Sequence, residues 1–184
     1  GVVHLLSAAR HFDPRVTLVL CAGEPDTPEI AAEVRRLVAE LEARDAPVLW
    51  IEQMIARSEV IQILAHARAF VCPSVYEPFG IVNVEAMACG VPVIASAVGG
   101  IPEIVVHDET GFLVHFEPAP GASAGPADPE AFARALADRV NALVDTPELA
   151  LAMGRAGRAR ALAEFSWHQV AKKTAALYAS LVHR

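Results

Sequence analysis

The stretch Pro73-Ser74-Val75-Tyr76-Glu77-Pro78-Phe79-Gly80-Ile81-Val82-Asn83-Val84-Glu85-Ala86-Met87-Ala88-Cys89-Gly90 decides how the chain is read. It follows the apolar run Ala69-Phe70-Val71-Cys72, which reads as a strand that Pro73 ends, because proline cannot donate to a ladder. A short loop then leads into a helix predicted to begin near Gly80. The first amides of that helix, at Gly80, Ile81 and Val82, lack intrahelical acceptors and lie at the positive end of its dipole, so they suit a phosphate group. Glu85 falls four residues after Ile81 and three after Val82, on their face of the helix. A carboxylate there matches the vicinal hydroxyls of a ribose, since it accepts two hydrogen bonds side by side. Glu77, in the loop, faces the same crevice from the other side. The plainer alternative is that Glu77 offsets the helix dipole and Glu85 is a solvated flank residue.

Upstream of this stretch, strand and helix alternate. Val2 to Ala9 reads as a short helix, and Val16-Thr17-Leu18-Val19-Leu20-Cys21 as a strand covered on both faces, because its apolar run is continuous. Asp26-Thr27-Pro28-Glu29 starts a second helix with Thr27 as cap and Pro28 in the first turn, ending near Arg44. Pro47-Val48-Leu49-Trp50-Ile51 is another strand, and Ser58 is positioned to cap a helix carrying Val60, Ile61 and Leu64.

Downstream, Pro92-Val93-Ile94-Ala95 and Gly111-Phe112-Leu113-Val114 are strands. Between them Gly99-Gly100-Ile101-Pro102 opens a turn whose glycines either line a phosphate or permit a tight backbone approach. Residues 117–129 are dense in Pro, Gly and Ala, including Gly121-Ala122-Ser123-Ala124-Gly125, and predict a mobile surface loop. Residues 130–184 predict a helical tail: one helix from Asp128 or Pro129, one from Pro147 to Ala163, and one capped by Ser166. The whole pattern is that of an α/β, doubly wound, Rossmann-like domain with a mostly parallel sheet. In such sheets ligands bind beyond the carboxyl ends of the strands, where Glu77 and Gly80 fall.

Composition narrows the function classes. The net charge of -7 argues against a general nucleic-acid binder, which needs a basic face to displace counterions. No apolar run approaches the roughly 20 residues of a membrane span, and Gly1-Val2-Val3-His4 carries neither basic leader nor cleavage site. Cys21, Cys72 and Cys89 lack metal-ligand spacing and read as buried reduced thiols of a cytosolic protein. His4, His11, His66, His107, His115, His168 and His183 show no metal spacing either.

The pair Glu77 and Glu85 with seven residues between, together with Pro78-Phe79-Gly80 and Glu85-Ala86-Met87-Ala88-Cys89-Gly90, resembles the E-x7-E signature of retaining glycosyltransferases of family 4. Val91-Pro92-Val93-Ile94-Ala95-Ser96, Gly99-Gly100-Ile101-Pro102-Glu103-Ile104-Val105 and Glu109-Thr110-Gly111-Phe112-Leu113-Val114 continue the resemblance. The chain looks like the C-terminal, donor-binding half of a GT-B fold. The segments Val2 to Arg10 and Phe165 to Ala171 are most similar to actinobacterial glycogen synthases, some of which make maltose 1-phosphate.

That resemblance implies transfer of glucose, with retention, from ADP-glucose to an α-1,4-glucan or to glucose 1-phosphate. It implies no cofactor or metal, no nucleic-acid or membrane partner, and a cytoplasmic location. Carried onto this sequence, the family pattern makes Glu77 the catalytic position, orienting the sugar with Phe79 and Gly80. Gly80, Ile81 and Val82 hold the diphosphate, Glu85 the ribose, and the loop at Met54 and Ile55 the base. The family also has a strand followed by a diphosphate-binding Arg and Lys before the position of Gly1, and an N-terminal acceptor domain. Neither is in this sequence, so the expectation is a piece inactive on its own, whose sheet is interrupted between the Val16 and Phe70 strands. A relative using a UDP- or GDP-sugar, and a non-catalytic nucleotide-binding or interaction module, are the competing readings.

Overall fold

A computed structural model describes residues 1–23, 27–121 and 125–182. Asp26, the loop centre at Ala122, Ser123 and Ala124, and His183 lie outside the described residues. The chain opens with helix α1 (Val2–Ala9), strand β1 (Leu18–Cys21), α2 (Pro28–Glu42), β2 (Val48–Ile51), α3 (Arg57–His66) and β3 (Phe70–Cys72). It continues through α4 (Ile81–Ala88), β4 (Val93–Ser96), α5 (Ile101–Ile104), β5 (Gly111–Val114), α6 (Pro129–Asp145), α7 (Pro147–Glu164) and α8 (Trp167–Val182). Every strand pairing is parallel, as the alternating pattern requires.

The strands form two sheets. β1 pairs with β2 in the register Leu18↔Val48, and β3-β4-β5 form the other sheet with Phe70↔Val93 and Val93↔Gly111 in register. No ladder joins β1 to β3 among the described residues, in line with the interruption expected there. The sheets meet through side chains instead. Val71 of β3 packs both on the cluster of Leu5, Leu6, Leu20, Leu37 and Leu41 and on the cluster of Ile94, Phe112, Phe132, Leu136 and Leu143.

The apolar periodicity of each helix finds its partner in these clusters. α6 buries Phe132, Leu136, Val140 and Leu143, and its Asp128 cap accepts from the amide of Ala131 at 2.9 Å. α7 crosses α4 so closely that a methyl group on Gly154 would stand 2.1 Å from the carbonyl oxygen of Gly90. β4 is buried along its whole length. Two of the three helices of the expected tail are therefore part of the core, whereas α8 is largely exposed, with Ser166 accepting from the amide of Gln169 at 3.4 Å. The described ends of segment 117–129 are tied by a bridge between Pro118 and Pro126 and a 2.8 Å bond from the Ala127 amide to the Glu117 carbonyl.

Three local expectations are corrected. Ser58 lies inside α3 rather than capping it; the helix starts after Ala56, which has no capping hydroxyl, and the carboxylate of Glu59 accepts from the Ala56 amide at 2.7 Å, the reciprocal half of a capping box. β1 is not covered on both faces, because α1 and α2 cover only the Leu20 side, leaving Val19 37% and Leu49 of β2 55% exposed. Cys21, at the end of that open face, is accordingly exposed, while Cys72 is buried and Cys89 half-buried; all three are free thiols. Among the described residues no helix is long and apolar enough to cross a membrane.

Candidate functional site

The site is assembled where β3 ends. Proline after Cys72 releases the chain from the sheet, and the buried hydroxyl of Ser96, at the end of neighbouring β4, donates to the carbonyl of Ser74 and sits 3.4 Å from that of Cys72. The loop that follows is fixed from below by the turn before α5. Gly100 donates its amide to the Glu77 carbonyl at 3.1 Å. Methyl groups on Gly99 and Gly100 would lie 1.8 Å and 2.6 Å from the carbonyl oxygens of Glu77 and Pro78. Of the two roles open to these glycines in the sequence, the close backbone approach is the one this geometry demands.

Glu77 is half-buried, and Ser74 Oγ donates to its Oε2 across a long 3.5 Å. Phe79 lies edge-on to Phe165, ring centroids 6.0 Å apart, so the end of α7 braces the loop. Arg160 in turn ties α7 down by donating to the carbonyls of Ile104 and Glu103 at 2.9 Å and 2.8 Å.

Gly80 caps α4 with φ 102°, a left-handed conformation that glycine adopts without strain. No side chain caps this end, so the amides of Ile81 and Val82 find no acceptor among the described residues. The positive end of α4 is thus open at the surface, with Ile81 65% exposed beside it. Glu77 lies in the loop before this end, and Glu85 in the second turn after it.

Two residues not singled out in the sequence join them. Arg57, in the first turn of α3, brings Nη2 to 3.8 Å from Oε1 of Glu85. The pair lines an open groove of about 330 Å³ together with Val60, Ile61, Leu64, Cys89 and Arg158. Asn83 is buried beneath the Glu77–Gly80 loop. Charge pairing between elements far apart in sequence carries no local signal; a polar residue at a buried helical position, as at Asn83, does, since α4 otherwise buries Ala86 and Met87.

Of the expected base contacts, Met54 is 93% exposed, near Gly23 of the β1–α2 connection, and Ile55 is half-buried. Met54 is therefore not a core residue. Three of the histidines have hydrogen-bond partners: His66 with the Gln62 carbonyl at 2.7 Å, His11 with Glu130 at 3.1 Å, and His107 accepting from the Leu113 amide at 3.0 Å.

Parallel strands with a glycine-capped helix after β3 form an architecture shared with the C-terminal part of GT-B glycosyltransferases. The comparisons agree. Residues 1–160 match the model of the family described as Glycosyl transferases group 1. Alpha-maltose-1-phosphate synthase of Mycolicibacterium smegmatis is 49% identical over 178 residues, covering 97% of this chain and 44% of that protein. Among solved structures, sucrose-phosphate synthase from Thermosynechococcus elongatus superimposes with a TM-score of 0.75 at 34% identity, covering 98% of this chain and 42% of the other. HepE from Anabaena, in complex with UDP, gives a TM-score of 0.79 at 26% identity, covering 98% and 45%. The chain belongs to the group 1 glycosyl transferases, and it spans less than half the length of the curated relatives it matches.

Proposed function

We propose that this chain is the donor-binding half of a retaining glucosyltransferase that takes glucose from ADP-glucose and passes it to an α-1,4-glucan or to glucose 1-phosphate in the cytoplasm. The observation that carries the reading is the open positive end of α4, with Glu77 in the loop before it and Glu85 in the second turn of the helix. In this reading the amides of Gly80, Ile81 and Val82 receive the diphosphate, and their fixed dipoles favour the charge that grows on it as the glycosidic bond breaks. Glu77, with the backbone at Phe79 and Gly80, orients the glucose hydroxyls. Glu85 accepts from the ribose hydroxyls, and the base lies along the Met54–Ile55 loop toward Arg57. No metal takes part. The similarity to alpha-maltose-1-phosphate synthase supports a sugar phosphate as acceptor; the choice of ADP and of a glucan rests on the resemblance read in the sequence motifs. A UDP-sugar is the second reading, favoured by the likeness to HepE bound to UDP.

Protein-observed NMR titration with ADP, UDP and GDP tests this, repeated on Glu85→Ala. Shifts at Gly80, Ile81 and Val82 that are largest with ADP and shrink in the variant are the expected result. A preference for UDP moves the assignment to the second reading. A folded chain that responds to none of the three overturns both.

A further inference from the structure

Asn83 is fully buried in the first turn of α4, yet neither its Nδ2 nor its Oδ1 has a hydrogen-bond partner among the described residues. Among those residues, no other side chain has both ends of an amide in this condition; Arg10, with an orphaned Nε, still pairs through Nη2 with Glu40 at 2.8 Å. Native proteins seldom keep such a group, because its desolvation is not offset, and an apolar residue of similar shape would cost less.

The position of the amide says what it is kept for. A methyl group built on Gly80 would lie 2.6 Å from Asn83 Nδ2, 3.4 Å from Glu77 Cγ and 3.5 Å from Ile101 Cγ1. The orphaned donor and the Glu77 side chain therefore border one spot over the left-handed glycine. Glu77, for its part, has only the 3.5 Å contact from Ser74 and retains capacity for a better donor.

We propose that Asn83 is a positioning residue: its amide stays unpaired in the free chain and pairs with the Glu77–Gly80 loop, Nδ2 donating to the Glu77 carboxylate, when a nucleotide-sugar draws that loop onto the head of α4. The inference rests on the nucleotide-sugar reading above. Part of the binding energy is then the relief of a buried amide, and the carboxylate that meets the sugar is set in place by the same step.

The test pairs the melting of the free chain with its affinity for ADP-glucose, in wild type, Asn83→Leu, Asn83→Ala and Glu77→Gln. Asn83→Leu is expected to melt at or above the wild-type temperature while binding ADP-glucose about tenfold more weakly, the worth of one charge-assisted hydrogen bond. Adding Glu77→Gln to it is expected to weaken binding less than Glu77→Gln does alone, because the two share one interaction. Should the larger leucine not be accommodated, Asn83→Ala is read instead, with the same loss of affinity. Melting that falls in both Asn83 variants while affinity is unchanged overturns the proposal and makes Asn83 a structural residue. A folded wild-type chain that binds no nucleotide-sugar overturns the donor-site reading and this proposal with it, and is told apart because affinity is then missing from every chain.

Discussion

Gly99 and Glu77 touch backbone to backbone. A methyl group on Gly99, whose φ is 51°, would stand 1.8 Å from the carbonyl oxygen of Glu77, so the loop carrying the glutamate rests directly on a second turn. Gly99→Ala is expected to lower stability by about 2–4 kcal/mol, combining a left-handed alanine with overpacking. Gly90→Ala is the control: φ is 80° but nothing lies within 4 Å, so only the conformational cost of about 1–2 kcal/mol applies. Urea denaturation of the two variants measures the difference, and equal losses would mean that the contact with Glu77 is not tight.

Arg57 is largely exposed and Glu85 about half exposed, and their 3.8 Å separation gives an ion pair worth little to the fold. Arg57→Ala is expected to leave stability within about 0.5 kcal/mol of wild type. Its affinity for a nucleoside diphosphate is expected to fall severalfold at low salt, with the deficit shrinking as ionic strength rises. Calorimetry at two salt concentrations reads both. An affinity indifferent to Arg57 removes it from the site.

Asp13 ties the α1–β1 connection to the end of α6: its amide donates to Asn141 at 2.8 Å, and Arg15 bridges it to Asp145. The side-chain and backbone hydrogen bonds from Arg15 lower the Asp13 carboxyl from the ordinary 3.8 to about 2. A lowered folded-state value stabilises above the ordinary one, and this contribution is lost as pH falls from 3.8 through about 2. Carbon-detected NMR is expected to show Asp13 ionised well below pH 3.8, and Arg15→Gln to bring its midpoint back up toward that value. A midpoint unchanged by the substitution would assign the shift to another cause.

Leu136 is fully buried between α6 and the β4–β5 sheet. Leu136→Ala is expected to cost about 2–5 kcal/mol, measured by chemical denaturation, since the site is enclosed and collapses little. A loss below about 1 kcal/mol would show that the cluster repacks around the smaller side chain.

What the sequence made legible was what local pattern encodes. The Thr27 and Asp128 caps, the proline stop after Cys72 and the glycine at the head of α4 all act within a few residues of themselves, and each stands where its chemistry requires. Glu77 and Glu85 could be proposed from the sequence for the same reason, since one belongs to a loop and the other to the helix that follows it. The α3 start was not legible, because the helix begins after an alanine and is tied from inside by Glu59, which accepts from the Ala56 amide. The exposure of Val19 and Cys21 was not legible, because an apolar run looks the same whether or not an element covers its second face. Arg57 meets Glu85 only through tertiary packing. Asn83 is a polar residue on an apolar face, a departure from pattern visible in the string but without meaning until burial and partners are known.

The division of the strands into two sheets governs how this molecule opens. β1 and β2 hold to the rest by side-chain contacts, such as those of Val71, and by helix α1, which packs on α6, with no shared ladder among the described residues to transmit cooperativity. Two cooperative units of unequal protection follow from this. Backbone amides of Val19 and Trp50 are expected to exchange with solvent deuterium through a partial unfolding that leaves Ile94 and Phe112 protected. The half bearing Glu77 and Glu85 then keeps its geometry while the other half breathes.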